Sequence, residues 1–544
     1  MPKLAGFVLS LLVVFSMHPR MAFGQQVTIV GNSVSPDANG PHHPVTGIVV
    51  NSVTSEPIQR ALVQLFLQHP MSALSGADGR FQFSNVPEGM VTLQAQRPGF
   101  YVDARANRPF TVGSGPNDVK LVLSPGARIT GAIKDSDGEP IENVAIQVMM
   151  EQIVQGRKQW QVQGGSQSEE DGSYQIDVLM PGRYAIFAGG SSDPPEVNVA
   201  AYYPEAPDLE SAQAIDLQAG QEYRADFRLR TERGFRVTGQ FVGGPSFSGG
   251  FSLENSSGGT IATRSNMDGS HGLLTLDCVP SGSWILVGNS NDNQGHQYEA
   301  RQEISVNHAD VDGVKIVFHA NTSIPVVINH AAADGNSNEA ASGVVSRNRG
   351  IPGLNATLIS TSVSIQNAQY WLQQQGDPPT PRFQNVRPGQ YRLDVQTFGA
   401  ECLESAWSGG VDLLRDTLTV GSDAAAPPIT INLRADCPTL TATVRASGEN
   451  QQQTAILLIV PSSGIAEPRT MGVPIQRQQA AAPAMNSFNM TLPPGSYHVY
   501  AFPNVDGLEY ANPEVLRGYP SQSVDLAAGQ KAAVSLDLAE RKEN

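Results

Sequence analysis

The chain has 544 residues, 40% of them apolar and only 16% charged, with 53 glycines and 38 prolines. A single core does not grow to that length, and so much turn-forming residue without a collagen period points to many short strands. A formal net charge of -16 excludes the basic footprint that nucleic acid needs, and 3 cysteines exclude a disulfide-built scaffold.

Residues 1–24 read as a secretory signal peptide. Lys3 opens it, Leu4 to Met17 is apolar, and Ala22 and Gly24 are the small residues of a cleavage site. An apolar run of that length is too short to span the roughly 30 Å hydrocarbon layer. The expected protein is exported (periplasmic, cell-surface or extracellular), with no membrane span after signal removal. Residues 25–44 read as a flexible lead-in containing the adjacent His42 and His43, which are expected to be solvated rather than metal-binding.

The rest of the chain repeats. Asp78-Gly79-Arg80-Phe81-Gln82-Phe83 is followed by Val86-Pro87-Glu88-Gly89 and Val91-Thr92-Leu93. Asp171-Gly172 with Tyr174 and Ile176, then Pro181-Gly182 and Tyr184, forms the second copy. Asp268-Gly269, Pro280-Ser281-Gly282 and Trp284 form the third; Pro388-Gly389 with Tyr391 and Pro494-Gly495 with Tyr497 mark the fourth and fifth. The turn glycines 89, 182, 282, 389 and 495 are spaced as whole domains, not as solenoid repeats. Phe81 and Phe83 share one face of a strand, the Pro-Gly turn follows, and Val91 and Leu93 return on that face. The motif reads as a hairpin with one apolar side that a second sheet must cover. Upstream, Val45-Thr46-Gly47, Ile129-Thr130-Gly131 and Val237-Thr238-Gly239 open successive copies, and alternating strands such as Val119 to Leu123 and Ile429 to Leu433 close them. The fold class is therefore all-β: five tandem small antiparallel β-sandwiches, transthyretin-like or immunoglobulin-like, in an extended array. The expected boundaries are 45–124, 125–231, 232–320, 321–436 and 437–541. Units joined with almost no linker, as at Ala435 to Leu440, predict a semi-rigid rod or curved array.

The run Thr46-Gly47, Glu56-Pro57-Ile58, Ala61-Leu62-Val63, Asp78-Gly79-Arg80-Phe81 and Val86-Pro87-Glu88-Gly89 resembles the carboxypeptidase regulatory-like domain. The second unit resembles it as well as the first; the third, fourth and fifth diverge. The resemblance implies a seven-stranded transthyretin-like sandwich that is non-catalytic, in tandem bacterial exported form. Related starch-binding-like sandwiches extend the implication to carbohydrate.

No motif for a metalloprotease, serine hydrolase, P-loop or dinucleotide fold is present, so no enzyme is expected and no catalytic residue is assigned. The third class, an enzyme of unrecognised type, would need a cleft where titratable groups converge. Asp135, Asp137 and Glu139 place three carboxylates on one tight turn; Ca²⁺ is the cation such oxygens would take, although the distant ligand of a calcium loop is missing. No other cofactor is implied. Trp160, the Tyr370-Trp371 pair and the Tyr202-Tyr203 pair lie in polar or proline-rich settings and are the candidate ligand-binding platforms. Trp284 occupies the repeat position of Tyr184, Tyr391 and Tyr497 and is expected in the core. In an oxidising compartment Cys402 and Cys437 are expected to form a disulfide, and Cys278 to be buried. The functional expectation is a cell-envelope binding module for polysaccharide or a cell-surface protein, with a structural spacer as its rival.

Overall fold

The computed structural model describes residues 41–66, 70–101, 110–113, 115–193, 195–242, 249–255, 260–261, 264–268, 272–292, 297–330, 353–361, 368–375, 380–421, 426–445, 454–462, 468–476 and 488–539. The secretory signal and most of the lead-in lie outside the described residues. His42 and His43 do not belong to a linker: they begin the first strand, His42–Asn51. Alternation along a strand sends neighbouring side chains to opposite faces, which separates the two imidazoles.

The described chain is almost entirely strand, arranged as five β-sandwiches in tandem. In the first, Arg80–Pro87, His42–Asn51, Asp118–Pro125 and Phe100–Tyr101 form one sheet, and Met71–Leu74, Leu62–Phe66, Gly89–Gln96 and Phe110–Val112 form the other. Val45, Val63, Leu65, Phe81, Phe83, Val91 and Leu93 fill the space between them. Alternation puts these residues inward and Gln82, Gln64 and Gln94 outward, which is the pattern a two-layer sandwich requires.

Two features differ from the sequence expectation. The Pro-Gly motif is not a hairpin. Its two strands belong to opposite sheets: Arg80–Pro87 pairs with His42–Asn51, whereas Gly89–Gln96 pairs with Leu62–Phe66. The other units repeat the change of partner, for instance Thr380–Val386 on Thr322–Asn329 and Gly389–Thr397 on Leu354–Ser360, although in the fifth Arg469–Gln476 pairs with both layers and joins them into one sheet. The turn is a corner that carries the chain across the core, so Phe81 and Phe83 meet Val91 and Leu93 face to face instead of edge to edge. Each turn glycine has positive φ, from 136° to 158°, a region that is open essentially only to glycine. Secondly, the opening and closing strands of each unit run parallel, as in Thr46↔Asp118, Val326↔Ile429 and Thr439↔Lys531. The remaining pairings are overwhelmingly antiparallel.

The units pack on one another. The core of the third unit is continuous with Met149, Ala185, Phe187 and Tyr202 from the outer face of a second-unit sheet. Arg387 of the fourth unit lies 3.2 Å from Glu299 of the third, and Arg469 of the fifth donates to the Val395 carbonyl of the fourth. The long hairpin Ala145–Val154/Arg157–Gln167 of the second unit reaches further. At its tip Gln155 accepts from Arg392 of the fourth unit, and the Gly156 carbonyl accepts from Ala511 N–H of the fifth. The array therefore curves back until its second unit touches its fifth. Cys402 and Cys437 are bonded, with Cα atoms 6.0 Å apart, and Cys278 is buried. Among the described residues no helix is long and apolar enough to cross a membrane.

Candidate functional site

The structure separates the aromatic candidates. Tyr202 is fully buried and lies 4.8 Å from Phe187, where it helps join the second and third units. Tyr203 packs on the second core, edge-on to Phe227 at 5.7 Å. Trp160 sits on the long hairpin opposite Glu151 and packs against the third core. Tyr370 packs edge-on against Tyr391, and its hydroxyl accepts from Arg387 N–H. Tyr202 is excluded as a sugar platform by burial, and Tyr203, Trp160 and Tyr370 spend much of their ring surface on their own chain. Trp371 is the exception, 52% exposed on the edge strand Gln369–Trp371. Trp284 is in the core as expected, its indole N–H donating to the Pro280 carbonyl.

The acidic turn is self-contained. Asp135 Oδ1 accepts from the N–H groups of both Asp137 and Glu139 at 2.9 Å, which turns that carboxylate toward its own backbone. Among the described residues no three His, Cys, Asp or Glu side chains converge on a metal-sized site. The sequence spacing places the three carboxylates on one turn, but the fold does not assemble them into a ligand set.

Two arrangements escaped the sequence because the fold creates them. The first lies where the third and fourth units meet. The Glu299 side chain is 2% exposed and lies within 3.6 Å of Arg301 and 3.2 Å of Arg387. Glu254, 3.6 Å from Arg301, faces the same group. Burial is the main force raising the Glu254 carboxyl above its ordinary range; the arginines oppose the shift and Glu299 adds to it. Two carboxylates and two guanidiniums balance, so the cluster reads as an electrostatic clasp and not as an acid–base pair. Its members are scattered over 254, 299, 301 and 387, with no local motif to reveal them.

The second lies on the fifth unit. The segment after strand Gly495–Phe502 folds back over the outer face of its own sheet, building a small second core from Leu458, Phe502, Leu508, Tyr510 and Leu516. Beside that core is a cleft of about 350 Å³. Val460, Pro461, Tyr500, Pro513, Leu516 and Tyr519 give it an apolar lining, and Ser462, Ser521, His498 and Arg517 are polar. Tyr519 meets Phe502 edge-on at 5.1 Å. Arg517 is paired with Glu514 at 2.5 Å. His498 Nδ1 and Ser523 Oγ are 3.0 Å apart, a cross-strand pair. The neighbouring carboxylate, Asp525, accepts from Ser496. A hydroxyl beside an imidazole is one part of nucleophilic catalysis, which also needs an orienting group and an oxyanion site; here the pair joins two adjacent strands on an exposed sheet face.

The fold defines a tandem β-sandwich protein. Within it, residues 44–124, the first unit, match the family model of the carboxypeptidase regulatory-like domain. No curated protein matches the chain. Among solved structures, the Bacillus anthracis TIE protein is 12% identical, covering 51% of this chain and 50% of that one, with a TM-score of 0.18. GBS52, a minor pilin of Streptococcus agalactiae, is 14% identical over 35% of this chain and 95% of its own, with a TM-score of 0.22. BcpA, the major pilin subunit of Bacillus cereus, is 9% identical over 51% of this chain and 99% of its own, with a TM-score of 0.16. This chain thus spans half the length of the first of these.

Proposed function

We propose that the protein is exported, is non-catalytic, and acts in the cell envelope as an interlocked scaffold that holds another surface molecule. The observation that carries this reading is where the aromatic side chains go. Tyr202, Tyr203, Trp160 and Tyr370 join sandwich to sandwich or strand to core. Buried interunit contacts such as Arg387–Glu299 hold the units in fixed relation. A chain that invests its aromatic and charged groups in its own rigidity is suited to presenting a surface. The raised tyrosine pKa values reflect burial of core hydroxyls, not a catalytic cleft. The acidic balance of the chain fits partners other than anionic membranes or nucleic acid.

Cross-linking in the native envelope is the test. A defined set of protein partners recovered with the chain supports the scaffold; recovery of the chain alone, at every cross-linker length, overturns it. A second reading, polysaccharide binding through Trp371, is favoured by that ring's exposure. Depletion of the mature chain by one class of insoluble polysaccharide, abolished by Trp371→Ala, would establish it.

A further inference from the structure

We infer that the cleft of the fifth unit is a binding site for one or two neutral sugar rings. This goes beyond the scaffold reading, since a scaffold need hold no small ligand.

A pyranose ring has an apolar C–H face and a rim of hydroxyls, so a pocket for it needs apolar and aromatic surface on one side and mixed donors and acceptors on the other. The cleft provides both. Tyr500, Tyr519, Pro461 and Pro513 supply the apolar surface. Ser462 and Ser521 supply hydroxyls that both donate and accept. Arg517, paired with Glu514 just outside the lining, supplies guanidinium donors.

Charge narrows the ligand class. Arg517 is already matched by Glu514, so the cleft offers no net charge to an ion. It can still offer directional hydrogen bonds to a diol. His498, its Nδ1 engaged by Ser523, also lines the cleft. Size narrows it again. A volume of about 350 Å³ is at the small end for ligand sites and holds one ring or two, not a long chain lying along a flat platform.

The position is also built to last. Tyr519 is fixed edge-on against Phe502, and Leu516 is anchored in the second core. The walls come from strand ends and from a tail that is itself packed, so the cleft is preformed and little ordering is needed on binding.

The test uses the mature chain with maltose, cellobiose and N,N′-diacetylchitobiose as probes at millimolar concentration, read by saturation-transfer NMR. Arg517 and Ser521 are exposed, so Arg517→Ala and Ser521→Trp alter the cleft without opening a core. Binding of at least one disaccharide, weakened about tenfold or more by Arg517→Ala and abolished when Ser521→Trp fills the space, is the expected result. No transfer from any of the three disaccharides, or a signal that survives both cleft variants, overturns the inference. Neither result touches the cross-linking test, so the two readings fail independently.

Discussion

At the scale of single residues, the recurring Thr-Gly of the opening strand has a steric cause. A Cβ at Gly131 would fall 1.9 Å from the Ala225 carbonyl oxygen and 2.6 Å from the Tyr174 ring. At Gly47 the same atom would meet the Val119 oxygen at 2.2 Å and the Phe81 ring at 2.5 Å. The closing strand and the first aromatic of the repeat both lean over that point, and only hydrogen leaves room for them. Gly131→Ala should therefore cost about 3 kcal/mol, at the upper end for overpacking, seen as faster hydrogen exchange confined to the second unit. Val178 makes the opposite case. It is a β-branched residue at φ 59°, in the register shift between Ile176 and Leu179, and it is 44% exposed. Asparagine tolerates that conformation far better, so Val178→Asn should stabilise the second unit by about 1 kcal/mol. Loss of protection there instead would show that the valine methyls contribute more than the strain removes. The tyrosines set a third expectation. Burial raises the pKa of Tyr174, Tyr184, Tyr391 and Tyr497 above the ordinary phenol value. A neutral phenol favoured by folding gives stability that is complete below the unfolded value near 10 and is lost as pH rises past it. Denaturation midpoints should be insensitive to these groups up to about pH 10 and then fall; a midpoint flat to pH 12 would contradict the assignment.

At the scale of elements, the spacing of the turns was legible and the partners of the strands were not. Asp78-Gly79 and Pro87-Glu88-Gly89 announce two turns with a strand between them, and Gly79 has the expected positive φ of 73°. Sequence alternation states which side chains share a face, but a hairpin and a sheet-to-sheet corner need the same alternation. The pairing shows the corner: Phe83 and Leu93 are both nearly fully buried and face each other across one core from strands with different partners. The corner has its own brace. Tyr184, Trp284, Tyr391 and Tyr497 each donate to the carbonyl four residues earlier, across the Pro-Gly turn. The sequence marked these four as equivalent; it could not reveal the shared hydrogen bond. Tyr391→Phe keeps the ring and removes the donor, leaving the Arg387 carbonyl without this partner. A loss of about 1 kcal/mol in the fourth unit is expected by chemical denaturation. Of the candidate site, the sequence supplied the aromatic residues but not their fate. Polar neighbours such as Lys158 and Gln161 made Trp160 look exposed, whereas its hairpin lies against another unit, and that contact has no local signature.

At the scale of the whole molecule, abutting units predict stiffness, and the hairpin adds closure. Its tip needs positive φ at both Gln155 (49°) and Gly156 (75°), which fixes a tight turn. Any Cβ on Gly156 would lie 2.4 Å from the Tyr510 ring of the fifth unit. Beside that contact Lys158 Nζ lies 4.0 Å from Glu509. The ion pair is too exposed to contribute much stability, but it is close enough to report on the contact. A zero-length carbodiimide reagent should join Lys158 to Glu509, and digestion with mass spectrometry should recover that bond within single chains. Gly156→Val adds both a clash with Tyr510 and a β-branched residue in a left-handed turn, so it should abolish the cross-link and raise the radius of gyration measured by X-ray scattering. The interunit clasp of Glu299, Arg301 and Arg387 is distant in sequence from this tip and should keep the third and fourth units together in the variant. If the cross-link is missing from the unmodified chain, the array is open and its stiffness comes from neighbouring units alone. If it is present and lost on substitution, one hairpin decides whether five sandwiches behave as a string or as a closed body, which is the property a scaffold would need.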